Sequence, residues 1–117
     1  MKLKLERSKK NPILGPTENW WENRLVANPG VLKLENKIHL IYTAHSQDDR
    51  LARFGYAKFK NIDEVEERLN SPIFQPEEWF EEQGTEDPRL VVIDDKIFML
   101  YAGKEKDMAG SANPISL

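Results

Sequence analysis

The residues best suited to chemistry stand together in the stretch Gly84-Thr-Glu-Asp-Pro-Arg-Leu90. Two carboxyl groups and a guanidinium at the head of an apolar run form either a charged turn or a proton donor set beside a cation. A residue that precedes proline is driven toward extended backbone. Asp87 and Arg89, two apart, are then expected on one side of the chain and Glu86 on the other. They would pair as ions or share a polar pocket, and an exposed pair contributes only about 0–1 kcal/mol, so stability alone is a weak reason to keep it. An acid that works near neutral pH needs a carboxyl partly withdrawn from water, and Arg89 beside it would oppose that by favouring the charged form. The other candidate is Asn28 in Asn28-Pro29-Gly30, whose plain role would be to open a turn.

Other chemistries are poorly supported. The 117 residues contain no cysteine, which removes disulfides, thiolate metal sites and cysteine nucleophiles and fits a reducing compartment. His39 suits a half-buried strand, and His45 has no partner at ligand spacing, so no metal is expected. The net charge of −3 is spread along the chain, and nucleic acid is not expected as a partner. No apolar run approaches the length of a membrane span, and no signal segment is visible, so a soluble cytoplasmic protein is expected. Trp20, Trp21 and Trp79 could stack on sugar rings, but packing is the more economical role for them.

The elements that must position these residues emerge from a repeat. Asn28–Ala44 aligns without a gap on Asp87–Gly103, at an offset of 59 residues from Asn28 to Asp87. Pro29/Pro88, Lys37/Lys96, Ile38/Ile97 and Tyr42/Tyr101 are identical, and the remaining apolar positions match in kind. Upstream, Pro12/Pro72, Pro16/Pro76 and Trp20/Trp79 keep the register within one residue. Each copy predicts a β-hairpin, Val31–Glu35 with Ile38–Ala44 and Leu90–Ile93 with Ile97–Gly103, turning at Asn and Asp residues that tolerate left-handed backbone. Ile38, Leu40 and Tyr42 alternate onto one face, as do Ile97, Met99 and Tyr101. Ile41 and Leu100 predict burial of the opposite faces as well. Phe54–Phe59 predicts a third strand. Asp63, with Glu66 three residues on and Ile62, Val65 and Leu69 on one side, predicts a short capped helix ended by Pro72. Sheet units at this period predict an all-β fold, a partial β-propeller. One domain over residues 1–117 is expected, with copy one over about 11–59 and copy two over about 71–117. The second copy's third strand should fall near residues 113–118, which predicts a propeller cut inside its second blade.

These residues resemble glycoside hydrolase family 130, the β-mannoside phosphorylases and related glycosidases. The resemblance rests on Asn28-Pro29-Gly30, on the Ile38–Ala44 strand ending in Tyr-x-Ala, and above all on Gly84-Thr-Glu-Asp-Pro-Arg89. It runs from about Asn11 to Gly103 and corresponds to the N-terminal third of a family member. It implies about the first two blades of a five-bladed propeller with a sugar pocket at the channel mouth. It also implies cleavage of β-mannosides with inorganic phosphate as co-substrate, giving α-mannose 1-phosphate with inversion and needing no cofactor. Asp87 would be the general acid, acting on the bridging oxygen through a mannose hydroxyl, and Asn28, Glu86 and Arg89 would bind substrate. Inverting phosphorolysis needs only one carboxylate, since phosphate arrives as an anion and requires no base. Thr43 departs from the family, where that position often holds an arginine for the sugar; Arg50 or Arg53 could replace it from the loop. A β-mannoside hydrolase of the same fold and a non-catalytic sugar-binding propeller fragment are the rival functions. With its sheet edges uncovered, the 117-residue chain is expected to self-associate and to be inactive alone.

Overall fold

The computed structural model describes residues 1–106 and the backbone of 115–116. Among the described residues, seven strands form two antiparallel sheets. The first runs in chain order through β1 (Leu25–Leu34), β2 (Lys37–His45), β3 (Ala52–Asn61) and β4 (Glu64–Arg68). The second holds β5 (Thr85–Ile93), β6 (Lys96–Lys104) and β7 (Ile115–Ser116). Among the described residues a single 3₁₀ turn, Trp79–Glu81, is the only helical piece, and no helix there is long and apolar enough to cross a membrane. β5 lies against β1, β2 and β3 of the first sheet, as in two neighbouring propeller blades.

Both predicted hairpins are present, and their turns explain the sequence. Glu35 and Asn36 have φ of 50° and 61°, and Asp94 and Asp95 have φ of 48° and 60°. Two consecutive left-handed residues match the twist of the flanking strands, and Asn and Asp accept that conformation more readily than other side chains. The first strand of each hairpin is longer than expected, starting at Leu25 and Thr85 rather than at Val31 and Leu90. The added length runs through a bulge in each, between Ala27 and Gly30 and between Glu86 and Arg89.

The predicted helix after Asp63 is instead β4. It pairs antiparallel with β3 from Ala57–Arg68 to Asn61–Glu64, with register shifts. The spacing of Ile62, Val65 and Leu69 suits a helix, but cross-strand charge favours the hairpin: Lys37 Nζ lies 2.6 Å from Glu66, and Lys58 Nζ 3.0 Å from Glu67. The third strand of the second copy is present in part as β7, which pairs Ile115 with Lys104 and Ser116 with Gly103. Residues 107–114 and 117, which include the rest of that expected strand, lie outside the described residues.

The first sheet is covered on both faces. On one, Leu40, Tyr42, Ala44, Ala57 and Phe59 pack with Trp21, Ile13 and Leu14 from the segment before β1. On the other, Phe54 and Phe74 meet Tyr101 of the second sheet edge-on, with ring centroids 5.9 and 5.1 Å away. The second sheet departs from the expected two-sided burial. Val91, Phe98 and Leu100 share its far face and are 41%, 48% and 65% exposed.

Candidate functional site

The two bulges carry the two candidate residues, one on each blade. Asn28 has φ 48° and Asp87 has φ 57°, so both precede proline in left-handed backbone. This corrects the extended geometry expected for Asp87. Left-handed backbone at a non-glycine residue costs on the order of 1–3 kcal/mol and persists where its surroundings impose it. Here the surroundings are the bulges, each of which turns one residue out of the ladder. The blades meet closely at this point: Gly30, just after the first bulge, lies under the carbonyl of Pro88 inside the second.

The result is a cleft of about 350 Å³ lined by Asn28, Pro29, Asp87 and Arg89. Asn28 Nδ2 donates a 2.8 Å hydrogen bond to Asp87 Oδ1. The Asp87 backbone N–H donates across the blade junction to Thr43 Oγ1 at 3.1 Å. Thr43 is buried on β2. Among the described residues Asp87 and Arg89 form no ion pair; both face the same polar cleft, the second of the two arrangements the spacing allowed. Asp87 is the one carboxylate among the cleft's lining residues.

Glu86 does not line the cleft. Its Oε1 accepts from Lys104 Nζ at 3.1 Å and lies 3.5 Å from His45 Nε2, so among the described residues it joins the two sheets beside the cleft. Burial pulls the His45 pKa below its usual value, against the pull of Glu86, and Lys104 and Arg24 lower it further. Arg53 is not available to replace an arginine at Thr43: it is 6% exposed, bonded to Asp49 Oδ1 at 3.0 Å, and stacked 4.8 Å from the Trp20 ring centroid. Trp21 is a core residue whose Nε1 donates to the Asn70 carbonyl, whereas Trp20 and Trp79 are 51% and 68% exposed. A larger hollow of about 500 Å³, lined by Ile13, Leu14, Val26 and Leu40 among others, is mostly apolar and holds no carboxylate. A third hollow of about 520 Å³ is lined by Trp20, Phe74 and Glu77 among others; the polar cleft is the hollow that Asn28 and Asp87 both line.

Sequence reasoning missed Thr43 as a partner of Asp87, because a bond between residues 44 positions apart leaves no local trace. It also missed Glu22 and Glu81, although they stand at the repeat offset. Tyr42 Oη donates to Glu22 Oε2 at 2.8 Å, and Tyr101 Oη donates to Glu81 Oε1. Both hydroxyls are pushed up to about 12, by burial first and then by the bond to the carboxylate.

A family model described as β-1,4-mannooligosaccharide phosphorylase matches residues 4–113. Two curated proteins of Thermoanaerobacter sp. are similar. One, a 1,2-β-oligomannan phosphorylase, is 37% identical over 109 residues, covering 86% of this chain and 36% of its own. The other, a β-1,2-mannobiose phosphorylase, is 35% identical over 114 residues, covering 86% of this chain and 37% of its own. The chain thus spans little more than a third of the length of these relatives. A solved structure from the family of mannoside phosphorylases that contains glycoside hydrolases targeting β-1,2 mannosidic linkages in Candida mannan superposes with a TM-score of 0.77. It covers 93% of this chain and 35% of that one at 23% identity, a likeness of fold.

Proposed function

The chain belongs to glycoside hydrolase family 130, its two sheets being neighbouring blades of the family's five-bladed propeller, and from that premise we propose that it supplies the general acid of an inverting mannoside phosphorylase. Asp87 donates the proton that releases the leaving sugar, by way of a mannose hydroxyl, while inorganic phosphate attacks the anomeric carbon from the opposite face. Asn28 and Arg89 bind the sugar beside it. The observation that carries this reading is the Asp87 carboxyl, set in a polar cleft where both bulges meet and bonded there to Asn28. Both curated relatives are named phosphorylases, which favours phosphate as the acceptor; it arrives as an anion and needs no base. The two curated relatives are named for 1,2-linked substrates, so β-1,2-linked mannosides are the proposed substrate class, and no cofactor takes part.

The test uses the native gene product carrying these residues, with β-1,2-mannobiose and inorganic phosphate. Mannose 1-phosphate should form, and Asp87→Asn should lower its rate by roughly 10²–10⁴-fold, the usual contribution of general acid catalysis. A mannoside with an activated leaving group, which needs little protonation, should recover much of that loss. Free mannose formed without phosphate would instead identify a hydrolase. Parent-level turnover by Asp87→Asn would remove Asp87 from the mechanism.

A further inference from the structure

We propose that Asn28 and Thr43 are positioning residues for Asp87, fixing its proton on Oδ2 and aiming that oxygen into the cleft; this rests on the assignment of Asp87 as the acid. A protonated carboxyl has one oxygen that carries hydrogen and one that can only accept. Asn28 Nδ2–H donates to Oδ1 at 2.8 Å, so in the protonated carboxyl Oδ1 serves as the carbonyl acceptor and the proton is directed to Oδ2. Among the described residues no protein group bonds Oδ2, while the side chain lines the cleft, so Oδ2 is the oxygen left for substrate.

Thr43 fixes the other end of the residue. The bulge between Glu86 and Arg89 removes Asp87 from the β5–β6 ladder, and its N–H bonds Thr43 Oγ1 on the first sheet at 3.1 Å. At 2% exposure Thr43 has little room to move. The acid is thereby held from two strands of the opposite blade, its carboxyl by β1 and its amide by β2. An aspartate at position 28 could not do the same work: two carboxylates at that distance would share a proton.

The experiment compares kcat, KM and pH profiles of the native gene product with Asn28→Ala, Asn28→Asp, Thr43→Val and Thr43→Ser, using β-1,2-mannobiose and phosphate. Thr43→Val keeps the shape but removes the acceptor, and should lower kcat about tenfold with KM nearly unchanged; Thr43→Ser should restore it. Asn28→Ala should lower kcat as Thr43→Val does and, because Asn28 also touches the sugar, raise KM as well. Asn28→Asp should move the basic limb of the kcat profile upward by about one pH unit or more, as one carboxyl of the new pair holds its proton longer. A rise in KM with kcat retained, or an unmoved basic limb, would make Asn28 a sugar contact only. Hydrogen exchange of the native gene product gives a readout without turnover: in Thr43→Val, the amide of Asp87 should exchange faster than in the parent while β6 keeps its protection. Unchanged exchange would overturn the role of Thr43. A parent that cleaves no mannoside but shows the exchange difference would overturn the proposed reaction and leave the Thr43 anchor standing.

Discussion

Gly30 shows how a single residue sets the distance between the blades. A Cβ there would sit 2.6 Å from the Pro88 carbonyl oxygen and 3.1 Å from its carbonyl carbon. Both are backbone atoms that cannot swing aside, so the blades would have to part. Gly30→Ala should therefore destabilise the chain by about 1–3 kcal/mol, the usual range for overpacking, measurable as a lower midpoint in urea. Opening this contact would also stretch the Asp87–Thr43 bond, so a variant of parent stability would show that the close approach is not needed. The site was legible at this scale only in part. The repeat set Asn28 and Asp87 at matching positions, and that was enough to single them out. Their left-handed backbone was hidden, because proline at the next position normally enforces the extended form. It is the bulge, a property of strand pairing, that overrides this preference.

Each hairpin is fastened by a tyrosine–glutamate bond, buried in the first copy and half-buried in the second, and the two fastenings differ in a way that can be measured. Tyr42 Oη donates to Glu22 and accepts from Arg68 Nε at 3.1 Å, while Arg68 Nη2 reaches Glu22 at 2.9 Å. Glu22 is fully buried. Tyr42→Phe should cost about 1–3 kcal/mol, because it leaves both members of a buried ion pair short of a partner. In the second copy Glu81 also accepts from the backbone N–H of Glu77 and Glu78, at 2.9 and 3.1 Å. Glu22 likewise keeps Thr17 Oγ1 and Asn19 Nδ2 at 2.7 and 3.1 Å. Tyr42→Phe, however, also strips Arg68 Nε of its acceptor, so Tyr101→Phe, which orphans no donor, should cost less. Equal losses in paired urea melts would show that the orphaned Arg68 Nε carries no weight. The strands themselves were legible from alternation and turn residues. β4 was not, because Glu64–Arg68 carries the spacing of a capped helix, and the lysines that hold it as a strand, Lys37 and Lys58, come from elsewhere in the chain.

His45, Glu86 and Lys104 join the two sheets, and this junction gives the molecule a pH dependence. Burial holds His45 below its ordinary 6.5. The unfolded chain therefore takes up a proton at higher pH than the folded one does. Stability from this residue is fully present above about pH 6.5 and declines as pH falls below that, levelling off under the folded value. His45→Gln should abolish the decline just below pH 6.5 in urea midpoints taken between pH 5 and 7. A decline that survives the substitution would place its origin in another group.

The whole molecule is asymmetric in what covers its sheets. The first sheet is closed on one side by Trp21, Ile13 and Leu14 and on the other by the second sheet. The far face of the second sheet presents Val91, Phe98 and Leu100 to solvent, with Val91 opposite Phe98 on adjacent strands. This part of the architecture was only half legible: the apolar residues that predicted burial on both faces are present, but the structure leaves the far face open and, on the near face, Val92 and Ile97 exposed as well. A contiguous apolar face beside unpaired strand edges favours association between copies. The 117-residue chain should therefore sediment above its 13.6 kDa monomer mass at micromolar concentration. Phe98→Lys combined with Leu100→Lys places two like charges on that face, where pairing two copies would oppose them, and should return the chain to monomer without loss of the Asp87–Thr43 bond on the other face. Sedimentation velocity on the parent and the double variant decides it. A parent that runs as a single 13.6 kDa species would mean that this face tolerates water and that exposed apolar area here is too small to drive association.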